Sequence, residues 1–171
     1  MRLAELRPYG AELVTDWPDP IVIVEGEATA DALRALGIAG VGTLGTSYQP
    51  EPAALAPLAG RRCIIWPDAD PKGRTHGLDI AARLEGIAAG VDWIEPPPDV
   101  FAGWDAADAD PDTAARLIAT AGPLPESVGP SIGSRTAADL RHGTPPPQLV
   151  PPFSRRRVRP SSTPVAGQAK G

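Results

Sequence analysis

IVIV at 21–24 is an unbroken β-branched run, the pattern of a strand covered on both faces of a parallel sheet. Residues 27–36 (EATADALRAL) are rich in helix formers, with acids near the start and Gly37 just past the end, and predict a helix. VGTL at 41–44 and RCIIW at 62–66 predict two further strands. Between them, EPAALAPLA at 51–59 predicts a weaker helix that Pro57 kinks or shortens. Residues 75–88 place Leu78, Ala81, Ala82, Leu84 and Ile87 at near-helical spacing, and VDWIE at 91–95 predicts a fourth strand. Residues 111–120 open with Pro111 and acids in the first turn, a helix start. The alternation predicts an α/β fold with a mostly parallel sheet flanked by helices.

Beyond residue 121 the rhythm stops. Segments such as TPPPQLVPPF have too few apolar residues to offset the entropy of ordering, so 122–171 is expected to be a disordered, Pro-rich basic tail. Charge divides at the same point. Residues 1–121 hold 9 Lys and Arg against 19 Asp and Glu, whereas 122–171 hold 7 against 2. An acidic body repels nucleic-acid phosphates unless divalent cations neutralise it, while a basic tail attracts them. Cys63 is the single cysteine, which excludes a disulfide framework and a cysteine zinc site, and its apolar run predicts a buried, inert thiol. No apolar stretch has signal-peptide or membrane-spanning length, so a soluble, cytoplasmic protein with no membrane partner is expected.

The chemistry gathers where strands end. IVIVEG closes on Glu25 and Gly26, and CIIWPDADPKG closes on Asp68 and Asp70, followed by Lys72 and Gly73. In an open parallel sheet, ligands bind at the carboxyl ends of the strands, so two strands deliver three carboxylates to one edge. A spacing of two in extended chain sets Asp68 and Asp70 on one side. Gly26 is expected to let the backbone turn sharply away from Glu25. Paired carboxylates repel unless a cation screens them, and an oxygen-only cluster suits Mg²⁺ or Mn²⁺.

Glu25-Gly26 with DAD at 68–70 resembles the TOPRIM domain, shared by bacterial-type primases, type IA and type II topoisomerases and some nucleases. Gly45-Thr46 is similar to that family's second-strand element, and DADPKGR to the DxDxxGR of its primase branch. The resemblance covers about residues 20–95, within a domain expected to span 1–121. EGEATADAL is most similar to the primase-like domains of phage and plasmid replication proteins. It implies Mg²⁺-dependent nucleotidyl transfer in primer synthesis, with Glu25 as general acid/base and Asp68 and Asp70 as metal ligands. Template, primer and nucleoside triphosphates are the implied partners, with a separate helicase-type ATPase or zinc-binding module. GWDAADA at 103–109 resembles an acidic segment after the fourth strand, which makes Asp105 and Asp108 candidates for a second metal or, alternatively, an Asp-rich turn capping the next helix. Lys72 and Arg74 are candidates for phosphate, or simply neutralise nearby acids, and Gly73 is a candidate turn residue.

The chain departs from the family at Thr29, where many members carry an acid; the nearest acid, Asp31, reads as a surface charge. No GxxxxGK[ST] occurs, so no P-loop ATPase is expected, and 136–153 resembles the linker that leads into one, as if a longer reading frame continued. A nuclease using the same acids, or an inactive primase-helicase fragment, are the alternatives. A distant one is dinucleotide binding through GVGTLG at 40–45 with Asp68 about twenty residues on. His76 is expected at the surface, in a loop or first helical turn, with His142 in the tail. Among Trp17, Trp66, Trp93 and Trp104, all potential base-stacking groups, Trp66 and Trp93 are expected in the core.

Overall fold

The computed structural model describes residues 2–126, so the tail expected over 122–171 lies, from residue 127 onward, outside the described residues. The elements are β1 (Ile21–Val24), α1 (Glu27–Ala35), β2 (Gly40–Gly42), β3 (Arg62–Ile65), α2 (Pro71–Leu84), β4 (Gly90–Trp93) and α3 (Pro111–Ala119). All four strands are parallel, in the order β2-β1-β3-β4. Among the described residues no helix is long and apolar enough to cross a membrane.

Side chains alternate across the sheet and build two apolar layers. Ile21, Ile23, Cys63 and Ile65 meet Ile80 and Leu84 of α2 on one face. Val22, Val24, Ile64 and Trp66 meet Ala30 and Leu33 of α1 and Ala114 and Leu117 of α3 on the other. This is why IVIV is apolar throughout: every position is buried. Cys63 lies in the first layer, where burial above all pushes its thiol up to about 12 and leaves it unreactive.

Two elements differ from expectation. The helix expected over 51–59 is only a short 3-10 turn, Ala56–Leu58, because Pro50, Pro52 and Pro57 remove backbone donors that a helix needs. Leu55 and Leu58 are nevertheless buried and cover the sheet as side chains of a loop. The second helix starts at Pro71 instead of 75, which moves the whole DADPKGR stretch onto or against a helix N-terminus.

Each outer strand carries one antiparallel bridge, Tyr9 to Gly42 on β2 and Gly122 to Trp93 on β4. The chain leaves β1 towards β2 on one side and β3 towards β4 on the other. The order therefore reverses between β1 and β3, the point where open α/β sheets present a crevice at their carboxyl ends.

Candidate functional site

Glu25 follows the last residue of β1 at that reversal. The pairing Ile23 with Ile65, carried two steps further, sets Glu25 level with Pro67. Trp66 N donates to Ile23 O at 2.9 Å, so the two chains stay joined beyond the ladder. The Glu25 carbonyl accepts from Thr43 Oγ1 at 2.9 Å and from Gly45 N at 3.4 Å.

Gly26 is extended, with φ −118°, and a Cβ there would meet only Thr29 Oγ1 at 3.6 Å, so the sharp turn assigned to it is not what requires glycine. The glycine that the turn demands is Gly42, whose added Cβ would stand 2.6 Å from Gly26 O. Gly73 is likewise a matter of close approach: a Cβ there would sit 2.7 Å from Asp68 O.

Asp68 and Asp70 leave β3 as expected, but Asp70 has a second occupation. It is the N-cap of α2, accepting from Gly73 N at 2.8 Å, with Pro71 at the first helical position. Asp70→Ala should lower stability by about 1 kcal/mol through loss of this cap, whereas Asp70→Asn should keep it. Urea denaturation of the two variants separates capping from charge, and equal stability would contradict the assignment.

The loop bearing Asp105 is tied to the same place. Ala69 N donates to Trp104 O at 2.8 Å and Gly103 N to Ala69 O at 3.3 Å. Asp105 accepts from Ala107 N at 2.7 Å and Asp108 from Asp105 N at 3.2 Å, so the pair closes its own turn, while Asp110 caps α3. Thr29 Oγ1 donates to Asp105 Oδ2 at 3.0 Å. Thr29, where the resemblance to the family leads one to expect an acid, thus binds one instead.

Electrostatics couples the five carboxylates. Burial pushes Asp68 up to about 7, and the charges of Glu25, Asp105, Asp70 and Asp108 add to the shift in that order. Glu25 is also raised, by burial first and then by Asp70 and Asp105. Among the described residues, no three His, Cys, Asp or Glu side chains already form a closed ligand set. Asp70 and Asp105 are instead engaged in hydrogen bonds of their own, to Gly73 N, Thr29 Oγ1 and Ala107 N. The donor chemistry, oxygen-only with uncompensated charge at Asp68, fits a hard divalent cation.

The neighbouring cations do not neutralise the acids. Arg74 Nη1 pairs with Glu95 at 2.8 Å and its guanidinium lies 5.7 Å from the Trp93 ring centroid. Lys72 is exposed, and among the described residues it has no ion pair. Arg74, Asp68, Asp70 and Glu95 share a hollow of about 360 Å³, walled by Pro96, Pro97 and other residues.

His76 is a correction: it is buried in α2, not at the surface, and its Nε2 lies 2.8 Å from Thr43 Oγ1. Asp31 is exposed as expected, and Trp66, Trp93 and Trp104 are all buried. The dinucleotide alternative lacks its helix: among the described residues no α-helix starts between Gly45 and β3 to receive a pyrophosphate.

No family model and no curated protein matches the sequence. Two solved structures share its fold. One is the DnaG catalytic core, with TM-score 0.54 and 20% identity, covering 72% of this chain and 42% of that one. The other is the DnaG primase catalytic domain bound to ssDNA, with TM-score 0.52 and 22% identity over the same shares. The chain therefore spans less than half the length of these neighbours. Its four-stranded parallel sheet with flanking helices is an α/β fold similar to that of the DnaG catalytic core.

Proposed function

We propose that this chain is a primase-type TOPRIM module that performs divalent-cation-dependent nucleotidyl transfer on nucleic acid. The observation that carries the reading is the pairing of Glu25 and Asp68. They stand at the ends of the two central strands, at the sheet's switch point, each with a raised pKa and each within the other's field or that of the same acids. The likeness in fold to a primase domain bound to ssDNA supports the same class of partner.

Asp68 and Asp70 would hold Mg²⁺ or Mn²⁺, and Asp105 and Asp108 would contribute to a second ion. A cation so held lowers the pKa of an attacking hydroxyl and neutralises phosphate charge. Glu25 takes the proton of a primer 3′-hydroxyl on its carboxylate, and returns one in the reverse direction. Its pKa is raised, by burial first and then by Asp70 and Asp105, the direction that makes a carboxylate a stronger base. Lys72, unpaired with any acid among the described residues, meets phosphate oxygens, and Arg74 does so when it leaves Glu95.

The test is incubation with single-stranded template, nucleoside triphosphates and Mg²⁺, alongside incubation with nucleic acid alone. New oligonucleotides support the reading. Shortened nucleic acid instead assigns the same acids to a nuclease. Neither product, with a zinc-binding module and helicase-type ATPase supplied in trans, overturns the catalytic reading.

A further inference from the structure

His76 takes no part in the chemistry proposed above, yet it is only 6% exposed. It lies on the inner stripe of α2, beside a crevice of about 10 Å³ that Glu25, Asp68 and Thr43 also line. That space admits at most a single water.

The directions of its hydrogen bonds follow from counting protons. Glu25 O is a carbonyl oxygen and can only accept. The Thr43 hydroxyl owns one hydrogen, and at 2.9 Å from that oxygen it is spent there. Towards His76 Nε2, 2.8 Å away, Thr43 Oγ1 can therefore only accept, and His76 carries its proton on Nε2. Thr43 is 2% exposed, so bulk water offers no substitute partner. Burial, opposed in part by Asp79, holds the imidazole below its usual range.

We propose that His76 is a positioning residue: its Nε2–H fixes the Thr43 hydroxyl, and Thr43 holds the Glu25 peptide so that the carboxylate stays at the acidic edge. Glu25 stands beyond the last ladder pair of β1, and the other contact on its carbonyl, from Gly45 N, is longer at 3.4 Å. Thr43 N donates to Val24 O at 2.8 Å and Ala30 N to Gly26 O at 3.1 Å, so the Glu25 carbonyl between them is the link of this turn that the relay fixes. The proposal rests on the assignment of Glu25 as the general acid/base, and its test includes readouts that do not depend on turnover.

The test uses the full chain in four variants. Thr43→Val and His76→Leu remove the relay with similar bulk, while Thr43→Ser and His76→Gln keep a hydroxyl and an N–H at the same places. Long-range ¹H–¹⁵N spectra of wild type should show the neutral Nε2–H tautomer. The Glu25 carbonyl ¹³C resonance should move in Thr43→Val and His76→Leu and stay in the conservative pair. With wild type active, the removing variants should lose about 10- to 100-fold in kcat at unchanged KM, the scale of a misplaced catalytic group. His76→Gln should recover most of that rate. An Nδ1–H tautomer, an unmoved Glu25 resonance in His76→Leu, or a folded His76→Gln as impaired as His76→Leu would each overturn the relay. Should His76→Leu fail to fold, the threonine pair decides alone, since valine is isosteric with threonine. If wild type makes no product, the functional reading falls while the spectra still judge the relay.

Discussion

Asp68→Asn should abolish divalent-cation binding and nucleotidyl transfer while making the cation-free protein more stable at neutral pH. Asp68 is raised from an ordinary 3.8 to about 7 by burial and by four neighbouring carboxylates. The native state thus binds its proton more tightly than the unfolded chain does. The stabilisation is complete below pH ~4, declines as pH rises from there through about 7, and is lost above. A shift of one pKa unit corresponds to about 1.4 kcal/mol. Solvent screening at this partly exposed group reduces the total to about 1–3 kcal/mol.

Asparagine removes the charge, and with it that slope. Mg²⁺ selects the ionised carboxylate, so in wild type it should stabilise strongly at pH 8 and little at pH 5, with proton release on binding. Urea denaturation across that range, with chelator or Mg²⁺, and titration calorimetry measure both effects. Wild-type Mg²⁺ affinity in Asp68→Asn would remove the residue from the metal site. Glu25→Gln separates the roles: it should bind the cation yet lose about 10²–10⁴-fold of the transfer rate, as for a missing general base.

Gly42→Ala should destabilise the protein by about 1–3 kcal/mol or more, the range for overpacking a tight site. The added methyl would face Gly26 O at 2.6 Å, Gly26 C at 3.0 Å and Glu27 N at 3.2 Å, all of them backbone. No side chain can swing aside, so the turn that carries Glu25 into α1 must move, and transfer should fall with stability. Gly26→Ala is the control, with its nearest contact at 3.6 Å and an ordinary extended backbone; it should change stability by less than about 0.5 kcal/mol. Equal effects from the two substitutions would refute the packing argument.

The strands are legible in the sequence because full burial writes itself as unbroken apolar runs at 21–24 and 63–66. Glu25 and Asp68 are legible for the same reason, as the first charged residues past those runs. The start of α2 is hidden. Its inner stripe is Gly73, His76, Gly77, Ile80, Ala81 and Leu84, a regular helical spacing whose first turns are glycine and histidine, not apolar residues. Only Asp70-Pro71 marks the start, the same N-cap and first-position pair that marks α3 at Asp110-Pro111. A carboxylate that serves as a candidate metal ligand is easily overlooked as a cap, and the burial of His76 is overlooked with it. Gly42, where an added Cβ would stand 2.6 Å from Gly26 O, and Thr43, whose hydroxyl lies 2.9 Å from Glu25 O, act through tertiary contacts that no local pattern encodes.

The two lone bridges on the outer strands have a consequence for self-association. Tyr9 exchanges both backbone bonds with Gly42, at 2.8 Å and 3.0 Å, and Gly122 does the same with Trp93, at 2.7 Å and 3.0 Å. Unpaired strand rims are templates on which a second molecule can add and aggregate. Here each rim is stoppered by a stretch of its own chain, so an incoming β-segment must first pry one loose.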